Sequence, residues 1–215
     1  SSIPLQEEQR GSSIAALAPH WEVMAYGLLI MVALLMRLWD LGSQAISFDE
    51  ANHTLYSFFL SNGQGFQHNP LTHGPLQFHG MAAMFFLFGD SDYVARLLPA
   101  IFGTALVGTP YFLRHRLGRA GALVTATMLA FSPMMLFYSR YARNDILMAV
   151  WALGLVICMW RYIDEGRNRY LYIGAGLLAL AFATKETAYI FTATLGLFLV
   201  LTLVVRNWST ITRGV

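Results

Sequence analysis

The sequence predicts an all-α, polytopic membrane protein, and three observations carry that prediction. The 215 residues are 56% hydrophobic and only 12% charged, where about a quarter of an ordinary soluble domain is charged. The charges are bunched, so the runs between them are long enough to cross a hydrocarbon core of about 30 Å. Between those runs lies one stretch, 46–80, that is too polar to be a span and holds four of the six histidines.

In chain order, residues 1–20 are polar and mixed in charge (Glu7, Glu8, Arg10) and form a tail or a surface helix. The first span is 21–41, bracketed by Trp21 and Trp39, aromatic anchors of the interface. Arg37 and Asp40 fall near its far end, where an arginine snorkels to water. An external loop, 42–92, follows. Within it 49–60 reads as a helix, broken at Asn62-Gly63-Gln64-Gly65. The apolar run 81–88, ended by Gly89, is 13 residues long even when counted from Leu76, and it includes Gln77 and His79. That length predicts an interfacial or re-entrant helix rather than a crossing. The remaining spans are 93–113, 120–138, 146–163, 170–184 and 187–205, about six crossings in all, and 206–215 is a second tail.

Charge placement orients the chain. The turns around Arg114, Arg116 and Arg119 and around Arg161, Arg167 and Arg169, with Arg206 and Arg213 of the tail, hold eight of the 14 Lys and Arg. If 81–88 does not cross, all three groups fall on the side of the N-terminus. The opposite side then takes Asp40, Asp49, Glu50, Asp90, Asp92, Asp145 and Glu186, seven of the 12 acidic residues. The positive-inside bias therefore predicts a multi-pass plasma-membrane protein with its N-terminus cytoplasmic and the Asp49 loop external. The single cysteine, Cys158, lies mid-span and excludes an intramolecular disulfide or a zinc-type cysteine cluster. It reads as a small packing residue.

Three separated stretches then converge on one membrane face: Asp49-Glu50, the run from Tyr138 to Asp145 that carries Arg140 and Arg143, and Lys185-Glu186. A carboxylate within hydrogen-bond reach can act as general base toward a hydroxyl. Arg and Lys can hold and neutralise a phosphate. A divalent ion bridging Asp49 and Asp145 is chemically reasonable, since hard cations take carboxylate oxygens. Such a set suits group transfer from a lipid phosphate whose head lies at the same level. Plainer readings stand beside each of these. Asp49-Glu50 can cap the following helix, Arg140 and Arg143 can be interfacial anchors, and Lys185-Glu186 can be a solvated turn. His68, His73 and His79 lack ligand spacing and are interrupted by Pro70 and Pro75, which argues against a histidine metal cluster. Asn52-His53-Thr54 and Asn207-Trp208-Ser209 match the glycosylation acceptor pattern, which is frequent by chance.

The same residues carry a family resemblance. Asp49-Glu50-Ala51 with His53, His73-Gly74-Pro75-Leu76, the run from Phe88 through Asp92 to Arg96-Leu97, Ser132-Pro133, the run from Tyr138 to Asp145 and Thr184-Lys185-Glu186 follow one another over about residues 20–200. In that series the chain resembles the dolichyl-phosphate-mannose mannosyltransferase/ArnT-like superfamily of the GT-C fold and, within it, the flippase-activity-associated glycosylation proteins. The resemblance implies Asp49 as catalytic base or acceptor-positioning group, Asp145 as the second acidic residue, a polyprenyl-phosphate sugar donor, and inversion at the anomeric carbon. Members are generally much longer, so the chain is expected to be either the N-terminal portion of an enzyme or a shortened relative.

The expected function is transfer of a sugar from a polyprenyl-phosphate donor to an acceptor hydroxyl. Asp49 is the base, Glu50 orients the loop, and Asp145 positions the acceptor or shares an ion. Arg140, Arg143 and Lys185 clamp the phosphate, and His53, His73 and Glu186 line the substrate. Membrane lipid, the donor and other membrane subunits are the expected partners; nucleic acid is not. The alternative is a non-catalytic membrane subunit that keeps the fold, for which Gly103, Gly108, Gly174 and Gly176 would permit close helix approach. A transporter is disfavoured, because no ionisable residue falls mid-span and no inverted repeat is visible.

Overall fold

The computed structural model describes residues 4–65, 67 and 73–213, with side chains over 21–206 of these. The described residues form helices joined by turns and loops and contain no strand. Four runs are long and apolar enough to cross a membrane: Trp21–Leu38, Leu97–Phe131, Asp145–Glu165 and Thr187–Arg206. With backbone polar groups satisfied inside each helix, such runs suit hydrocarbon. The molecule is a multi-pass membrane protein.

Helix α1 runs unbroken from Pro4 to Leu38, so the expected boundary at residue 20 is not a break in the backbone. Trp21 and Trp39 are both exposed, as interfacial anchors are. Arg37 does not snorkel, contrary to expectation. Its side chain is fully buried and turned inward, donating to the carbonyls of Ala33 at 3.1 Å and Leu129 at 3.1 Å. The reason lies in Pro133. An α-helical Leu129 carbonyl would accept from the N–H of residue 133, and proline has none. Helix α6 (Arg114–Phe131) accordingly ends there, and the Arg37 guanidinium supplies the missing donor at the negative end of its dipole.

The expected span 93–113 is built in pieces. A four-residue helix α4 (Asp92–Ala95) stops at Arg96, helix α5 (Leu97–Gly108) follows, and a 3-10 turn (Thr109–Leu113) leads into α6. Inside α6 Gly118 takes φ 72°, ψ 161°, a left-handed turn open to glycine. The chain reverses at this point. Along α1, Tyr26 meets Tyr111 and Ala33 meets Val107, whereas Glu22 meets Arg119 and Ala33 also meets Ala130. Thus α5 runs antiparallel to α1 and α6 runs parallel to it, and 97–131 is a hairpin rather than one long rod. The expected span 120–138 also divides, at Ser132-Pro133, into α6 and a short helix α7 (Pro133–Ser139).

Helices α8 (Asp145–Glu165), α9 (Arg169–Phe182) and α10 (Thr187–Arg213) complete the chain. Gly154 faces Leu177 and Gly174 faces Cys158, so α8 and α9 are antiparallel. At the apolar centre Leu98, Leu106, Ile146, Leu147, Trp151, Ala181 and Ala188 pack together. There Trp151 donates its indole N–H to Thr184 Oγ1 at 3.0 Å, which satisfies its polar end.

The loop between α1 and α4 folds as helices α2 (Phe48–Ser61) and α3 (Leu76–Phe88). They lie side by side, with His53 stacked on Phe78 and Phe58 packed near Met81 and Phe85. At 13 residues α3 falls below the length of a crossing.

Candidate active site

The sequence around Asp49 folds as it does because Ser47-Phe48-Asp49-Glu50 is a capping box. Ser47 is the N-cap of α2; its Oγ accepts from the Glu50 N–H, and Glu50 Oε2 accepts from the Ser47 N–H at 3.1 Å. Glu50 is 1% exposed and does more than cap. Its two oxygens receive Arg96 Nε at 2.8 Å and Arg96 Nη2 at 2.9 Å, and Oε1 also accepts the Ala142 N–H at 2.9 Å. Burial opposes its charge, but the Arg96 guanidinium and the Ala142 and Ser47 N–H donors outweigh it and hold Glu50 below the usual carboxylate range. Arg96 also donates to the carbonyls of Leu41, Gln44 and Ala45. One buried ion pair therefore ties the end of α1, the start of α2, α4 and the loop before α8.

Asp49, next in sequence, has the opposite environment. Its side chain is 53% exposed and accepts from Arg143 Nη1 at 2.7 Å. Arg143 Nε lies 4.0 Å from Asp145 Oδ2, and Asp145 Oδ1 accepts from Lys185 Nζ at 2.6 Å. An alternating row, Asp49–Arg143–Asp145–Lys185, thus links α2, the N-terminus of α8 and the turn between α9 and α10. A guanidinium occupies the space between the two carboxylates where a bridging cation would sit. Among the described residues no three His, Cys, Asp or Glu side chains group as ligands.

The turn 183–186 is docked by the loop before α3. Gly74 and Leu76 donate to the carbonyls of Thr184 and Ala183 at 3.1 and 3.0 Å, and His73 Nδ1 meets Glu186 Oε2 at 2.7 Å. The fit demands glycine, because a Cβ on Gly74 would collide with the Ala183 carbonyl. His73 itself has φ 65°, a conformation histidine visits more readily than most residues but at some strain. The Glu186 carboxyl is held low by its own backbone N–H and by His73. His53 is buried, with Nδ1 3.0 Å from the Asp49 carbonyl and Nε2 3.4 Å from Asn144 Nδ2. A carbonyl only accepts, so Nδ1 carries the proton. Burial lowers the imidazole pKa, which favours the neutral ring.

Of the expected site residues, Asp49, Arg143, Asp145 and Lys185 form the row, and His53, His73 and Glu186 flank it. Arg140 is directed elsewhere. It donates to the carbonyls of Met36 and Asp40 at 3.2 Å each, at the C-terminal end of α1, where cations are favoured. His68 lies outside the described residues. Sequence reading assigned no role to Arg96 or to Tyr141, whose hydroxyl lies 2.6 Å from Ser47 Oγ. The signal for Arg96 was present: a lone arginine between apolar segments needs a buried partner, and the capping-box glutamate was available.

No curated protein matches the chain. A family model does, and it begins inside the loop, so Asp49 and His53 precede the matched segment while Arg96, Arg143, Asp145 and Lys185 fall within it. With residues 72–212 matched, the chain belongs to the dolichyl-phosphate-mannose-protein mannosyltransferase family.

Proposed function

We propose that the chain carries the membrane site of a glycosyltransferase that moves a sugar from a polyprenyl-phosphate donor to an acceptor hydroxyl, at the outer membrane face. The observation that supports this reading is the row Asp49–Arg143–Asp145–Lys185, drawn from three separated loops onto one end of the bundle. Asp49 is the base. As the acceptor oxygen attacks the anomeric carbon, its proton passes to the exposed Asp49 carboxylate and the bond from that carbon to the phosphate oxygen breaks, with inversion. Polyprenyl phosphate leaves, and Arg143 and Lys185 meet the charge that develops on it. Asp145 holds both cations in place until the phosphate arrives. Glu50 and Arg96 position the Asp49 loop without touching substrate, and His53 fixes the Asp49 carbonyl from below. The cytoplasmic N-terminus is part of the same proposal and rests on the arginine placement.

The test is sugar transfer from a polyprenyl-phosphate sugar in membranes. Asp49→Asn is expected to lower the rate by about 10²–10⁴ with the helix content unchanged. An Asp49→Asn variant with undiminished transfer would reduce Asp49 to a surface partner of Arg143. The rival reading, a non-catalytic subunit that keeps the fold, predicts no transfer by the parent chain in any membrane context.

A further inference from the structure

A second feature lies at the end of the bundle away from Asp49. Between α8, α9 and α10 an apolar groove of about 580 Å³ extends from Leu155, halfway along α8, and Thr192, in the second turn of α10, to Tyr162, Tyr170 and Arg206. From Thr192 to Arg206 the helix rises about 21 Å at 1.5 Å per residue. Half a hydrocarbon core is about 15 Å, so with Arg206 at the headgroup level the groove reaches roughly to the bilayer centre. Its walls are apolar, with Leu155, Leu171, Leu178 and Leu199 among the side chains that line it. Gly196 opens it, since a Cβ there would meet nothing within 4 Å.

The mouth of the groove is cationic. The neighbouring arginines are engaged, Arg116 by Asp164 and Arg161, Arg167 and Arg169 by Glu165. Arg206 lines the groove, is exposed, and makes no ion pair among the described residues. An apolar slot one leaflet deep with an uncommitted guanidinium at its mouth matches a lipid with an anionic phosphate head.

We infer that this groove binds an anionic phospholipid of the leaflet facing away from Asp49, with an acyl chain along Gly196 and the phosphate on Arg206. The site is independent of the transfer reaction and stands whether or not the chain is catalytic.

Native mass spectrometry of the purified, delipidated full chain titrated with phosphatidylglycerol or phosphatidylcholine tests it. Phosphatidylglycerol is expected to bind about fivefold more tightly, the size of one arginine–headgroup contact. Arg206→Gln should abolish that preference by weakening phosphatidylglycerol more than phosphatidylcholine, whose phosphate sits beside a compensating cation. Gly196→Leu, which raises helix propensity and fills the slot, should weaken both lipids. Circular dichroism checks that both variants keep their helices. Equal binding of the two lipids, a preference that survives Arg206→Gln, or full binding by Gly196→Leu overturns the site. So does a lipid-free dimer that Gly196→Leu dissociates, since a second copy would then occupy the groove.

Discussion

Two adjacent carboxylates, Asp49 and Glu50, have opposite fates, and one turn of helix explains why. At the third position of α2 Glu50 points back beneath the N-cap, into Arg96 and the Ala142 N–H. At the second position Asp49 points outward, to Arg143. A buried ion pair with one partner removed leaves an uncompensated charge, so Glu50 and Arg96 act as one anchor. The pH behaviour of that anchor has a definite sign. The Glu50 pKa in the folded state lies below its ordinary value of 4.5. Below that value the unfolded loop binds more protons than the folded one, so the anchor is fully present above pH 4.5 and is lost as pH falls through the folded pKa. Hydrogen exchange corrected for intrinsic rates should show the Ala142 amide protected above pH 4.5 and progressively exposed below it. Protection that instead fails on raising the pH would remove Glu50 as the anchor.

At the scale of elements, the candidate site depends on how loops are held to helix ends. The segment 73–76 hydrogen-bonds to the 183–184 backbone, and this delivers His73 to Glu186 and keeps Lys185 beside Asp145. Gly74 is the point of closest approach. Gly74→Ala is expected to lift the segment, break both backbone hydrogen bonds and destabilise the protein by about 1–3 kcal/mol, the usual range for overpacking. Gly176→Ala serves as the control, because a Cβ at Gly176 meets nothing within 4 Å. Thermal unfolding in detergent compares the two, and a Gly74→Ala variant as stable as Gly176→Ala would show that the docking is loose. The broken helices follow the same logic. Ser132-Pro133 ends α6 early, and buried Arg37 caps the Leu129 carbonyl from another helix.

For the whole molecule, the antiparallel runs place the row of Asp49, Arg143, Asp145 and Lys185 at one end and the clusters around Arg116, Asp164 and Glu165 at the other. A maleimide that cannot cross membranes should distinguish the ends in intact cells. Ser43→Cys, in the exposed turn after α1, is expected to be labelled from outside, and Arg167→Cys only after permeabilisation. Native Cys158 is buried and should stay silent in both. Labelling of Arg167→Cys from outside would reverse the proposed orientation; labelling of both from outside would refute the separation of the two ends.

Composition and run length determined the class of this protein, because unbroken apolar runs of about 20 residues satisfy their backbone in hydrocarbon as helices. Spacing determined that 76–88 is too short to cross, and order along the chain determined that Asp49, Arg143, Asp145 and Lys185 belong to neighbouring loops. Only the tertiary structure decided which charges meet. Asp49 and Glu50 are adjacent in the chain, and Arg140 and Arg143 lie three residues apart. Helix phase and the approach of other elements separate them: Arg140 turns to the α1 carbonyls and Arg143 to the carboxylates. Arg37 taught the same lesson, since its partner carbonyl lies 92 residues away. Pairing energies depend on distances of a few ångströms between atoms remote in sequence, and linear spacing contains no such distance.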